Sequence, residues 1–289
     1  MDHKRTFLLG VGFQKAGTTW LWDYLSSSPE ILLALPKELH VFDAMLRPDL
    51  HAGFRKTAII QDLSRGLTRR VRDQFESRPK GLIRADERVK MIGDPHLYVD
   101  HFRDLDPSKK VVGEITPSYS TLKPHHFAQI KGWLDPHFDL RIVVLLRDPV
   151  ARAFSSIGQY LKVTGKNFPH AMRSDANAQF EEMITSSYIL ERQDYQGLLE
   201  ALDTVFDPGE VHIGFYERLF NEAAVEKVCD FLGIARHPAD FGKRVNEGRK
   251  TLSLDPALAA RAREAYAPAY DYCRERFGAE LIDEIWRYA

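Results

Sequence analysis

Short runs of consecutive apolar residues alternate along this chain with stretches whose apolar positions recur at helical spacing. That alternation predicts an α/β fold around a mostly parallel sheet of about five strands. Phe7-Leu8-Leu9-Gly10-Val11-Gly12 is apolar on successive positions, as a strand buried on both faces requires. Residues 18–25 continue at helical spacing, and Ser26-Ser27-Ser28-Pro29 ends them. Further strands are predicted at 31–35 (stopped by Pro36), 110–115 (ended by Thr116-Pro117), 140–146 and 211–216. Arg147-Asp148-Pro149 opens a helix with proline in its first turn. Residues 44–105 read as charged, mixed and helical, with a break at Arg78-Pro79-Lys80-Gly81; Arg69-Arg70-Val71-Arg72 reads as one solvated helix face. A helix runs to Phe231-Leu232-Gly233-Ile234, a polar loop spans about 236–253, and a last helix starts near Asp255-Pro256. No repeat, low-complexity tract or linker divides the chain, so residues 1–289 are read as a single domain.

Composition narrows the class. A chain of 289 residues fits one large domain, and 44% hydrophobic with 28% charged residues describes an ordinary globular protein. Lys plus Arg total 40 against 41 Asp plus Glu, a net charge of −1, which removes the broad basic excess of a general nucleic-acid binder. A local positive pocket is still compatible with that balance. Cys229 and Cys273 are too few for a disulfide framework or a four-thiolate zinc site and are read as reduced thiols. No apolar run reaches the length of a membrane span, and the apolar stretch after Met1-Asp2-His3-Lys4-Arg5 is too brief for a signal peptide. The expected location is cytoplasmic.

The candidate chemistry begins with Gly12-Phe13-Gln14-Lys15-Ala16-Gly17-Thr18-Thr19, set between a strand and a helix where a phosphate loop belongs. Successive backbone N–H groups and the positive end of the helix favour an anion there. The glycine spacing equals that of the nucleoside-triphosphate motif, but Thr18 stands where that motif requires lysine, and the lysine lies inside the loop at Lys15. A triphosphate-cleaving site also needs an acidic magnesium partner at a neighbouring strand end, where this chain has Arg147. Asp148 follows it, but an adjacent arginine and a helix-opening proline make it a poor metal partner. The pocket offers positive charge in place of a metal. His125-His126 after Pro124 have no further ligand at helical spacing and read as a surface pair at a helix start.

Gln14-Lys15-Ala16-Gly17-Thr18-Thr19-Trp20-Leu21 resembles the 5′-phosphosulfate loop of the sulfotransferases that use 3′-phosphoadenosine 5′-phosphosulfate (PAPS). Leu145-Leu146-Arg147-Asp148-Pro149-Val150-Ala151-Arg152-Ala153-Phe154-Ser155 resembles their 3′-phosphate segment. Pro36-Lys37-Glu38-Leu39-His40-Val41-Phe42-Asp43, Gly113-Glu114-Ile115-Thr116-Pro117-Ser118-Tyr119, Phe231-Leu232-Gly233-Ile234 and Asn246-Glu247-Gly248-Arg249-Lys250 are most similar to the glycan (heparan-sulfate-type) branch and its bacterial relatives. The resemblance implies a P-loop-like three-layer fold, PAPS as sulfate donor without a metal, and an acceptor hydroxyl or amine. It implies nucleotide contacts from Lys15, Ala16, Gly17, Thr18, Thr19, Arg147, Ser155, Gly248, Arg249 and Lys250. It also implies Lys15, Glu38 and His40 as the catalytic set, Glu38 the general base and His40 its support.

The residue types suit those roles. Arg147 carries a permanent charge on a planar fork that fits phosphate, and Ser155, two helical turns on, lies on roughly the same face. Lys15 can neutralise a leaving phosphate oxygen. Glu38 can take a proton in a cleft beside Lys15; Glu114, at a strand end, is the rival base. Trp20, Trp22 and Tyr119 fit either an acceptor cleft or the core. Residues 44–105 and 160–195 are expected to shape the acceptor cleft. Two other classes fit the loop: an ATP-dependent phosphotransferase, opposed by Thr18 and Arg147, and a nucleotide-binding module without turnover.

Overall fold

The computed structural model describes residues 4–50, 81–164, 176–242 and 253–289. Five strands, β1 Arg5–Gly12, β2 Ile31–Leu33, β3 Val111–Ile115, β4 Phe138–Leu146 and β5 Val211–Phe215, form one sheet in the order β2-β3-β1-β4-β5. Every pairing is parallel, with Leu8 opposite both Gly113 and Arg141. Phe7 through Gly12 is buried throughout, as a central strand covered on both faces must be. Gly113 is required by close approach: its φ is +150°, and a Cβ there would lie 2.0 Å from the Leu8 carbonyl oxygen.

Among the described residues the α-helices are α1 Thr18–Ser26, α2 Val41–Leu46, α3 Ala85–Gly93, α4 Pro95–Arg103, α5 Pro124–Leu134, α6 Pro149–Thr164, α7 Ala176–Met183, α8 Ser187–Leu190, α9 Tyr195–Val205, α10 Glu222–Leu232, α11 Pro256–Ala265, α12 Ala267–Phe277 and α13 Ala279–Ile285. They bury one continuous apolar core that includes Phe7, Leu9, Leu25, Tyr98, Phe102, Val112, Ile142, Leu145, Leu198 and Trp286. Arg5 locks α4 onto the sheet, its guanidinium donating to the carbonyls of Phe102, Arg103, Leu105 and Asp106 at the helix C-terminus. No helix among the described residues is long and apolar enough to cross a membrane.

The predicted strands are all present, with differences at their ends. β2 stops at Leu33; Leu35 instead makes an isolated bridge with Leu82, where the chain turns away from the sheet edge. β5 ends at Phe215, and Tyr216 opens a short 3₁₀ turn. The single last helix expected from residue 255 is three helices. Pro268 lacks the N–H to bond back along α11, and Gly278, at φ +95°, separates α12 from α13. The Arg69-Arg70-Val71-Arg72 cluster and residues 78–80 lie outside the described residues.

Because all five strands run the same way, the segments after them gather at one edge of the sheet. The chain leaves β1 toward β2 on one side and leaves β4 toward β5 on the other, so the adjacent β1 and β4 bound a topological switch point. Ligands of open α/β sheets collect there.

Candidate active site

At the end of β1 the chain turns back on itself, Phe13 N–H donating to the Leu145 carbonyl at 2.9 Å and Ala16 N–H to the Phe13 carbonyl at 3.2 Å. Lys15 and Gly17 both adopt left-handed backbone conformations, φ +67° and +87°. At Gly17 the left-handed φ disfavours any other residue, and a Cβ would sit 2.7 Å from Leu219 Cδ2 and 3.1 Å from the Tyr216 ring, displacing them. α1 then starts at Thr18 with no side-chain cap and no acidic residue in its first turn. Its leading amide groups and dipole are therefore left for an anion. Thr18 is buried, and Lys15 and Thr19 are half-buried at this edge. Ala16 is fully buried, its N–H spent on the Phe13 carbonyl.

Arg147, at the end of β4, is fixed against that loop. Its Nη1 donates to the Lys15 carbonyl at 2.7 Å, and its guanidinium lies over the Tyr216 ring at 4.2 Å. Tyr195 holds the backbone beneath, its hydroxyl donating to the Arg147 carbonyl at 2.7 Å while its ring packs on Phe13. Arg147 Nε is buried without a hydrogen-bond partner, a donor suited to an incoming acceptor atom. Ser155 is half-buried on α6, one turn beyond half-buried Ala151 on a stripe that starts beside Arg147. Asp148 is 1% exposed and spent within the protein: it accepts from Ala151 N–H, the Tyr270 hydroxyl and Tyr288 N–H. Gly248, Arg249 and Lys250 lie outside the described residues.

A second group forms after β2. Glu38 and His40 are both left-handed, φ +64° and +55°, so a tight turn presents their side chains together. Glu38 Oε1 lies 2.6 Å from Lys37 Nζ, and Oε2 lies 3.8 Å from His40 Nε2. On the other side of the ring, Nδ1 donates to Asp43 Oδ2 at 2.8 Å and stands 3.0 Å from the Ser118 hydroxyl, which itself donates to Asp43. Asp43 is fully buried and its other oxygen accepts Ala44 N–H. Burial works against the charged ring, but the Asp43 and Glu38 carboxylates outweigh it and raise the His40 pKa to about 10. Burial also works to raise Glu38, yet the hydrogen bond to His40 and the charges of Lys37 and His40 lower it to about 2. Near neutral pH this is an Asp43–imidazolium–Glu38 chain, with the proton on Nδ1 directed at Asp43.

Glu114 sits differently. It is 1% exposed, Oε1 accepting from Tyr98 and Tyr119 hydroxyls at 2.7 and 2.8 Å and Oε2 from Thr116 Oγ1 at 2.5 Å and Leu39 N–H at 3.3 Å. Burial pushes its pKa up and these donors oppose the rise. Both oxygens are therefore occupied by the protein. The Tyr119 hydroxyl also accepts from Val41 and Phe42 N–H, so Glu114 and Tyr119 together brace the turn that carries Glu38 and His40. Tyr119 and Trp20 are core residues, Trp20 stacked on Tyr24 and donating to the Asp240 carbonyl at 3.1 Å; Trp22 is half-buried. His126 Nδ1 accepts Lys123 N–H at its helix start.

The structure thus joins Lys15 directly to Arg147, and Glu38 to His40, on loops of the same sheet edge. Asp43, Ser118 and Tyr216 complete these groups and were missed from sequence. Asp43 carried a signal, three residues beyond His40 at the start of a helix. Ser118 and Tyr216 reach the site only through strand order.

A family model described as the sulfotransferase family matches residues 8–238. The crystal structure of a sulfotransferase from Alicyclobacillus acidocaldarius aligns over 95% of this chain and 96% of its own, at 21% identity and a TM-score of 0.58. The sulfotransferase domain from the curacin biosynthetic pathway aligns over 93% and 97%, at 16% identity and a TM-score of 0.48. A mouse sulfotransferase complexed with PAP aligns over 91% of this chain and 63% of its own, at 13% identity and a TM-score of 0.40.

Proposed function

The chain belongs to the sulfotransferase family, and we propose that it moves a sulfuryl group from PAPS to a hydroxyl or amine of an acceptor. The observation that carries this reading is the 2.7 Å hydrogen bond joining Arg147 to the Lys15 loop. It holds a fixed guanidinium to the loop that leads into an uncapped helix start, which supports a single nucleotide with phosphate at both ribose ends as their ligand. The partnerless Nε of Arg147 and the glycine-only approach at Gly17 support the fit.

In this reading the donor supplies an activated sulfuryl group with a phosphate leaving group. The α1 amides, Thr18 and Thr19 hold the 5′ end, and Lys15 neutralises charge growing on the leaving oxygen. Arg147 and Ser155, with Gly248, Arg249 and Lys250, grip the 3′-phosphate and so select against ATP. Glu38 takes the acceptor proton and His40, held by Asp43 and Ser118, orients it. Unassisted, a carboxylate lowered to about 2 is a weak base, so proton transfer must be coupled to sulfuryl transfer or follow it. Because Asp148 has its oxygens occupied, the strand-end carboxylate that a magnesium-dependent phosphotransferase would use is committed to structure.

Thermal-shift titration tests the reading. Desulfated nucleotide, 3′-phosphoadenosine 5′-phosphate, is expected to raise the melting temperature by mass action, and ATP with magnesium far less. Equal or greater stabilisation by ATP with magnesium would favour the phosphotransferase instead. Lys15→Ala is expected to abolish transfer to pooled acceptors.

A further inference from the structure

The peptide between Arg147 and Asp148 is pinned at both of its polar atoms. Its carbonyl accepts the Tyr195 hydroxyl at 2.7 Å, and its N–H donates to Glu217 Oε1 at 3.0 Å. The two partners come from separate elements, Tyr195 from α9 and Glu217 from the 3₁₀ turn after β5. Strand register brings that turn here: Leu146 lies opposite Phe215, so Arg147 and the Tyr216-Glu217 dipeptide leave adjacent strands side by side. Tyr216 then carries the guanidinium on its ring at 4.2 Å. One dipeptide therefore meets Arg147 twice, with a ring under its charged end and a carboxylate on the backbone that leads away from it. Bonds on opposite edges hold the peptide plane against rotation. That rotation would change ψ of Arg147, and with it the direction in which the side chain leaves the strand.

Glu217 is a costly group to spend on one backbone N–H. Its Oε2 is buried and has no hydrogen-bond partner among the described residues. Burial pushes its pKa up, with the Asp148 N–H and the charge of Arg147 among the groups that oppose the rise. The start of α6 does not require it as a cap, because Asp148 Oδ1 already accepts Ala151 N–H there. On the reading of Arg147 as the 3′-phosphate arginine, we propose that Glu217 is a positioning residue for that phosphate, acting through the Asp148 amide to keep the Arg147 guanidinium on Tyr216 and aimed at the ligand. An acceptor fixed in this way works by geometry. An uncharged acceptor in the same place therefore serves as well, and only ligands that carry the 3′-phosphate feel its loss.

Titration calorimetry on the full chain compares 3′-phosphoadenosine 5′-phosphate with adenosine 5′-phosphate, and the unaltered protein is expected to prefer the first. Glu217→Leu, of similar bulk without an acceptor, is expected to bind the 3′-phosphorylated nucleotide about tenfold more weakly and adenosine 5′-phosphate as before. Glu217→Gln, which keeps an acceptor oxygen, is expected to restore the preference to within about threefold. Glu217→Asp keeps the charge but withdraws the acceptor by one methylene, and supplies the same comparison if Glu217→Leu does not fold. Equal weakening of both nucleotides marks a general structural role and overturns the proposal. An undiminished preference in the folded Leu or Asp variant overturns it too, as does a Gln variant as weak as the Leu variant. An unaltered protein with no preference between the two nucleotides sinks the reading of Arg147 itself, and this proposal with it, so the two failures are told apart.

Discussion

Asp43→Asn isolates the charge that governs His40. With its oxygen in the place of Oδ2 the amide can still accept from Nδ1, so the ring keeps its tautomer and the 2.8 Å contact, while the negative charge is lost and an NH₂ group replaces the oxygen that accepted Ala44 N–H. A hydrogen bond to a charged group contributes about 1.5–3 kcal/mol. The His40 side chain is 23% exposed, so water screens part of this, and about 2 kcal/mol is the appropriate scale. At about 1.4 kcal/mol per pKa unit, His40 should fall by about 1.5 units from its value near 10. The sign for stability follows. A histidine raised by its partners adds stability that is complete below its unfolded pKa, about 6.5, and is lost as pH climbs through the folded value. In the variant that loss is reached about 1.5 pH units sooner. Titration of the His40 ring by ¹H–¹⁵N NMR measures the shift, and the alkaline limb of kcat/KM should move down by the same amount. A ring that still titrates near its original value in Asp43→Asn would refute the electrostatic chain.

Glu38→Gln is expected to stop turnover while leaving the nucleotide-induced thermal shift intact, whereas Glu114→Gln should cost about 1–3 kcal/mol in urea unfolding because four donors lose a charged acceptor. Full activity of Glu38→Gln beside inactivity of a folded Glu114→Gln would transfer the base role to Glu114. Arg147→Lys removes both the fork that bonds the Lys15 carbonyl and the stacking on Tyr216; calorimetry should show desulfated nucleotide bound about thirtyfold more weakly, roughly 2 kcal/mol, and unchanged affinity would separate Arg147 from the nucleotide. Gly113→Ala drives a Cβ into the Leu8 carbonyl and is expected to cost at least about 4 kcal/mol or prevent folding; a fully stable variant would contradict the register of β1 and β3.

The strands and the anion loop were legible in the residues because both are local. Phe7 to Gly12 is apolar without alternation, and the loop from Gly12 to Thr19 carries its glycines and lysine within one turn of chain. Lys15 and Arg147 could be named for the same reason, one inside the loop and one at the end of an apolar run, whereas Glu38 and His40 are named from the resemblance carried by Pro36 to Asp43. What each carboxylate does is a different matter. Glu38 and Glu114 both follow or end a strand, and no local rule separates them. Strand order does, since β3 lies between β2 and β1 and encloses Glu114 among Tyr98, Thr116, Tyr119 and the Leu39 amide, while the turn after β2 leaves Glu38 beside Lys37 and His40. The pairing of Ser118 with Asp43, across 75 residues, and of Arg147 with Tyr216 likewise exists only once the parallel strands bring their ends together. Sequence determined which groups follow the strands to the sheet edge; burial and hydrogen bonding in the folded chain decided which of them the protein itself encloses and satisfies, as it does Glu114 and Asp148.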